Sequence, residues 1–130
     1  MAVPCNTGFS EAAKFLVGEA ADKFQYVAVG KGTAQAAANT TLNSECTESG
    51  LTRVAADSAI TKQTTVANDT VQFIKTFTAG ANATVTEAGA FNNATINAGD
   101  MLMVGDLSPT APMVTADTLK VTLECQIKAA

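Results

Sequence analysis

The segment TLKVTLECQIK, residues 118–128, alternates apolar and polar side chains over its whole length. Successive side chains of a strand point to opposite faces of a sheet, so this period of two predicts a strand with one buried and one solvated face. The apolar members, which fall on one side of an extended chain, are Leu119, Val121, Leu123, Cys125 and Ile127. Such alternation is typical of antiparallel sheets.

Further strand-like segments precede this one, separated by turns that contain glycine or asparagine. They are residues 24–30, 52–56, 64–78, 84–91 and 101–104. Pro109 and Pro112 are expected to limit pairing between residues 107 and 113, because proline cannot donate to the ladder. Strands and turns at this spacing predict a mainly β fold: an antiparallel β-sandwich or barrel, jelly-roll-like, with one N-terminal helix.

The single helix is predicted over residues 10–22, with Ser10 as its N-cap. Gly18 either weakens this helix or marks its end. Apolar side chains recur at helical spacing, and we expect this stripe to cover one edge of a sheet. Its members are Phe9, Ala12, Ala13, Leu16 and Ala20. The chain then divides into an N-terminal arm, residues 1–9, and a single β-sandwich domain with its helix, residues 10–130.

Composition excludes several classes of function. The 130 residues are 47% hydrophobic but only 15% charged, with no histidine and a net charge of -4. Without histidine there is neither an imidazole zinc ligand nor an imidazole base. The acidic balance gives no basic surface for nucleic acid, and no apolar run is long enough to span a membrane. We therefore predict no cofactor, no metal, no nucleic-acid partner and no membrane partner.

Low charge also bears on assembly and location. No basic stretch followed by an apolar run opens the sequence, so we expect synthesis in the cytoplasm without secretion. Strand faces that are rich in threonine and alanine and poor in charge are expected where other subunits cover them, because interface cores are depleted of charge.

Candidate catalytic groups are few. The sequence GKGT, residues 30–33, lacks the glycine and lysine spacing of a phosphate loop and is interpreted as a turn. The acidic residues Glu45, Glu48, Asp100 and Asp106 are interpreted as solvated loop residues, or a weak cation site at most. No nucleophile lies in a pattern that supplies a base. We predict that the protein is not an enzyme and has no catalytic residues.

Glu87 differs from these carboxylates because it lies within a predicted strand. We expect it to pair with Lys75 or Arg53 across the sheet, which would be a structural contact.

The three cysteines, Cys5, Cys46 and Cys125, are too far apart for a CxxC metal or redox motif. One interpretation is three reduced thiols that act as small hydrophobic side chains, which Cys125 fits best. The other is an inter-subunit disulfide, for which Cys5 is the best candidate, since it lies in the predicted arm beside Pro4. The odd count leaves both open.

Three groups of segments together resemble a known family. They are YVAVGKGT (residues 26–33) with NTTL (39–42) and Glu45, TVTEAGAF (84–91) with Met101-Leu102, and DTLKVT (117–122). They are similar to the motifs of small virion structural proteins of tailed bacteriophages, decoration or tail-fibre-like, over about residues 6–127. The resemblance implies fold motifs and no catalytic residues. Lys31 and Val104 depart from it, as do the extra cysteines.

The resemblance covers both decoration and tail-fibre proteins, but the extra cysteines would suit a particle reinforced by inter-subunit disulfides. We therefore expect a capsid decoration (cement) protein on the capsid surface of the virion. It would bind between subunits of the major capsid protein as a homo-oligomer, a trimer, and stabilise the shell. The alternative is a tail-fibre, collar or other appendage protein involved in host attachment.

Overall fold

Eight β-strands and one α-helix form the part of the chain that this computed structural model describes, residues 2–33 and 35–128. In chain order they are β1 (Val3–Pro4), α1 (Asn6–Val17), β2 (Tyr26–Gly30), β3 (Val54–Ala55), β4 (Ser58–Lys62), β5 (Thr70–Thr78), β6 (Ala83–Phe91), β7 (Met101–Met113) and β8 (Thr118–Gln126). The predicted mainly β fold with one N-terminal helix is confirmed.

The strands form two antiparallel sheets. The five-stranded sheet has the order β1-β7-β6-β2-β3, and the three-stranded sheet has the order β4-β5-β8. β5 and β8 pair over their full length, from Thr70 opposite Gln126 to Thr78 opposite Thr118. The main hydrophobic core contains buried side chains from both sheets, among them Val29, Phe77 and Leu123. This is the two-layer arrangement that the alternating strands predict.

The alternation of the last strand has the predicted orientation up to its final member. Val121, Leu123 and Cys125 are buried and Leu119 is partly buried. Ile127 is 69% exposed, contrary to expectation, because β8 ends at Gln126 and the chain leaves the sheet there.

The five-stranded sheet is covered on both faces at strand β2. Val27 and Val29 belong to the core between the sheets, whereas Ala28 belongs to a second cluster on the opposite face. That second cluster also contains Cys5, Leu42, Phe91, Met101 and Val104. Burial on both faces explains why β2 shows an unbroken apolar run rather than alternation.

β7 contradicts the expectation that two prolines limit pairing. The strand continues through both to Met113, and Pro112 lies opposite Thr84 of β6. Pro109 falls where the ladder is already irregular, since the register shifts between Val85 and Glu87. A proline is tolerated at a bulge because no ladder hydrogen bond is lost there.

The helix begins earlier than predicted. Its N-cap is Cys5 in an extended conformation rather than Ser10, and its C-cap is Gly18 with φ of 75°, which confirms the interpretation of Gly18 as the helix end. Residues 6–9 are therefore helical, and β1 pairs with Val104 and Met103 of the same chain. The division into an N-terminal arm, residues 1–9, and a single domain, residues 10–130, stays a prediction.

The helix also faces the other way. Gly8 lies against β7, where an added Cβ would be 2.6 Å from the Leu102 Cα atom. Thr7 Oγ1 donates to the Met101 carbonyl at 2.9 Å. This small and polar face turns toward the sheet, so the apolar stripe does not cover a sheet edge. Phe9 is 58% and Leu16 is 86% exposed.

Candidate functional site

Glu87 organises the loop that follows β2. Its side chain is fully buried on β6. Oε1 accepts hydrogen bonds from the backbone N–H groups of Ser44 (2.8 Å) and Gly32 (3.2 Å), and Oε2 accepts one from Asn43 (3.2 Å). The expected pairing with Lys75 or Arg53 is wrong. Glu87 instead fastens both ends of the loop over residues 31–44 to the five-stranded sheet, and these backbone donors satisfy the carboxylate.

The glycines of the GKGT segment make room for this carboxylate. Gly30 lies directly opposite Glu87 in the sheet, and a Cβ on Gly30 would overlap the Glu87 side chain. The Lys31 Nζ donates to Glu48 Oε1 at 2.6 Å on the surface. This hydrogen bond raises the pKa of Lys31 and lowers the pKa of Glu48. The GKGT segment therefore packs against a carboxylate of the same chain, that of Glu87.

Glu45 and Arg53 form a second buried polar group. The Arg53 Nε and Nη2 atoms donate to Glu45 Oε2 and Oε1 at 3.0 and 2.6 Å. The Arg53 Nη1 donates to the carbonyls of Asn93 (3.0 Å) and Ala98 (2.7 Å), and the guanidinium lies 3.6 Å from the centre of the Phe91 ring. The interpretation of Glu45 as a solvated loop residue is wrong, because a bidentate arginine neutralises it.

These groups converge on the family-like segments identified above. We define the motif cluster as Gly30, Leu42, Glu45, Arg53, Glu87 and Phe91. Five of its members stand in the quoted segments. The sixth, Arg53, which the sequence did not assign to the cluster, pairs with Glu45 and lies over the Phe91 ring. Among the described residues, the buried side-chain nitrogen and oxygen atoms without a hydrogen-bond partner belong to Gln35. The chemistry available to the motif cluster is therefore to hold loops onto the sheet.

Asp69 orders the loop between β4 and β5 in a similar way. Its carboxylate accepts hydrogen bonds from the N–H groups of Thr64 (2.8 Å), Thr65 (2.9 Å) and Val66 (3.0 Å), and from Gln126 Nε2 (2.8 Å). Burial alone would raise the pKa of Asp69, but these donors outweigh it and hold the pKa well below the ordinary range. The ionised Asp69 carboxylate therefore stabilises the folded protein fully above the ordinary aspartate pKa of about 4. This stabilisation is lost as the pH falls through the lowered pKa of Asp69.

The remaining acidic candidates have separate surroundings. Asp106 Oδ2 accepts a hydrogen bond from the Gln35 N–H at 3.4 Å, and Asp100 lines a shallow depression with Glu11 and Lys14. Within residues 2–33 and 35–128, no group of three or more acidic or cysteine side chains is placed to hold a metal ion. In the same part of the chain, no helix has the length and apolar content needed to cross a membrane.

An open groove of about 460 Å³ runs between β7 and β8. Residues 105–107 of β7 and residues 119–124 of β8 line it. It borders the edge of β8 that does not pair with β5.

All three cysteines are buried and free. Burial raises the pKa of Cys5 and of Cys46 to about 11, and it also raises the pKa of Cys125. These surroundings favour the interpretation of reduced thiols that act as small hydrophobic side chains. The inter-subunit disulfide through Cys5, Cys46 or Cys125 stays a prediction, and it would require one thiol to leave its buried position.

We expect the native thiols to react slowly with a maleimide or with Ellman's reagent at pH 8. A pKa of about 11 leaves on the order of one thiol in a thousand ionised, and burial blocks access to that fraction. All three should react at once in denaturant. Rapid reaction of a native thiol, or a dimer band in a non-reducing gel of freshly prepared protein, would contradict this expectation.

Large exposed hydrophobic side chains are concentrated near the N-terminus. Ten such residues occur in the described chain, and five of them lie within residues 3–17. These five are Val3, Phe9, Phe15, Leu16 and Val17; the others are Val54, Ile60, Val66, Val114 and Ile127. Exposed apolar side chains this close together in the chain make the N-terminal segment the best candidate for an interaction surface.

Comparison with known protein families identifies a relationship that covers most of the chain. The model of a protein family described as podophage GP4 fiber I protein gp80 matches residues 14–127. No curated protein and no solved structure matches the chain.

Proposed function

We propose, from the premise that this chain belongs to the family described as podophage GP4 fiber I protein gp80, that it is a structural component of a fibre or related appendage of a tailed-phage virion. The match over residues 14–127 covers most of the chain and carries the proposal. Membership confirms the predicted family of small virion structural proteins of tailed phages and, with it, a virion location.

The family description bears on the two functions that the sequence left open. It names a fibre protein, which supports the appendage alternative better than capsid decoration. The expected position on the capsid surface and the expected contact with the major capsid protein belong to the decoration hypothesis and stay predictions. The trimer also stays a prediction.

The geometry supports a structural role in a second way. The side chains of the motif cluster hold loops against the sheet from inside the molecule. The surface combines little charge with exposed apolar side chains near the N-terminus. Such a surface suits a component that other protein chains cover, because interface cores are depleted of charge.

The position in the particle can be tested on purified virions. Labelling with antibodies against the protein is expected to mark the tail, the collar or the fibres, and quantitative gels are expected to show far fewer copies than the major capsid protein. Uniform labelling of the head, with a copy number in proportion to the major capsid protein, would instead support decoration. Complete absence of the protein from virions would contradict both functions.

A further inference from the structure

The face that α1 turns outward carries no charge and includes a line of apolar side chains. Phe9, Ala13 and Leu16 are all exposed and succeed one another at intervals of four and three residues. We call these three residues the helix seam. Intervals of four and three place side chains along one line of a helix, which is the spacing by which helices of separate chains pack together. The small Ala13 between two large side chains leaves space for a knob from a partner.

The opposite face of α1 explains why the helix seam is free. Gly8 and Glu11 are the buried residues of the helix, and Gly8 touches the backbone of β7 at Leu102. A larger residue at Gly8 would push the helix off the sheet. The contact therefore fixes the rotation of α1, with its seam pointing away from its own chain.

The size of the patch is sufficient for the centre of an interface. A phenylalanine has roughly 200 Å² of surface, so Phe9, which is 58% exposed, offers on the order of 100 Å². Leu16 and Val17, 86% and 72% exposed, bring the total to roughly 350 Å², which is the size of the largest apolar patch on a typical monomer, a patch that is often functional. A standard interface buries about 800 Å² on each partner, so the patch accounts for less than half of one side.

Charge disfavours a lipid surface as the occupant. Helices that lie on membranes carry lysine and arginine along their polar face. The only charged residues of α1 are Glu11 and Lys14, and they pair with each other at 2.6 Å. A protein surface without opposing charge is the better fit.

We infer that the helix seam joins copies of this chain, with the seam of one copy packed against the seam of the next. An uncharged apolar line is complementary to itself, so two copies can meet across a symmetry axis with the same residues on both sides. The inference rests on the proposed function, in which the protein acts as part of an assembly.

The test measures mass in solution by light scattering for the full chain and for two matched variants. The natural protein is expected to form a concentration-dependent oligomer. Leu16→Glu is expected to reduce the mass to that of one chain, 13.2 kDa. Ile60→Glu introduces the same charge at a residue that is 54% exposed on β4, and it is expected to leave the oligomer intact. Circular dichroism should show both variants folded, and Leu16→Ser replaces Leu16→Glu if that variant unfolds.

Cross-linking identifies the surface directly. A Leu16→Cys variant is expected to form covalent dimers with a short bismaleimide, because the new thiols of two copies face each other across the seam. An Ile60→Cys variant carries its thiol on β4, away from the seam, and is not expected to form them. The native thiols are buried and should contribute little background. A monomeric natural protein, an oligomer that survives Leu16→Glu, or binding of the protein to vesicles through Leu16 would overturn the inference. None of these results alters where the protein lies in the virion, so the proposed function is tested separately.

Discussion

Replacing Arg53 with methionine is expected to lower the free energy of unfolding by about 3–5 kcal/mol, because the substitution leaves a buried carboxylate without its counter-charge. The side chains of Arg53 and Glu45 are 0% and 1% exposed, so water cannot solvate the remaining charge. The carbonyls of Asn93 and Ala98 lose their donor at the same time. Methionine keeps much of the apolar contact with Phe91, so the loss reports mainly on charge and hydrogen bonds.

Urea unfolding followed by circular dichroism measures this change. Lys31→Met is the matched control, because it breaks the exposed pair with Glu48 and is expected to change stability little. The double variant Glu45→Leu/Arg53→Met removes both buried charges and should recover part of the loss. Equal effects of Arg53→Met and Lys31→Met would show that the Glu45–Arg53 pair is not buried as described.

The fold was predictable where one local pattern decides one feature. The alternation of residues 118–128 predicts β8 and its buried face correctly up to Cys125 and fails at Ile127, since a period of two leaves only one register against a core but does not show where the strand ends. The presence of the helix could be predicted from the sequence, but the face that it turns toward the sheet could not. Its apolar stripe was the strongest local signal, yet the contact of Gly8 with Leu102 turns that stripe outward. A contact between residues far apart in the chain is invisible to any pattern within the helix.

The candidate site shows the same limit. The segments that carry Glu87 and Glu45 are recognisable in the sequence, but their partners are not. Ser44 meets Glu87 only because β2 pairs with β6, and Arg53 meets Glu45 through the folding of the loop between β2 and β3. Carboxylates in loops are ordinarily solvated, so the sequence favoured exposure for Glu45. The expectation that the prolines of β7 limit strand pairing is wrong for a related reason. Pro109 lies at a shift in register between β6 and β7, and this shift exists only once the two strands have paired.

Removal of the Glu87 carboxylate is expected to have the second large effect. In Glu87→Ala, the N–H groups of Gly32, Asn43 and Ser44 lose their acceptor, and we expect a loss of at least about 3 kcal/mol, since a hydrogen bond to a charged group contributes about 1.5–3 kcal/mol. Glu87→Gln keeps the shape of the side chain. Its oxygen can still accept from Gly32 and Ser44, but its NH₂ group then opposes the Asn43 N–H. Its loss is expected to be smaller, about 1–3 kcal/mol.

Native-state hydrogen exchange tests where this loss arises. The amides of Gly32, Asn43 and Ser44 are expected to exchange much faster in Glu87→Ala, because the loop they belong to then opens without global unfolding. In Glu87→Gln the largest increase is expected at Asn43, which alone loses its acceptor. The strand amides of β5 and β8 should show only the change in global stability. Glu48→Gln alters a carboxylate at the surface near this loop and should leave the three amides protected. Protection that persists in Glu87→Ala would mean that other contacts hold the loop and that Glu87 does not fasten it.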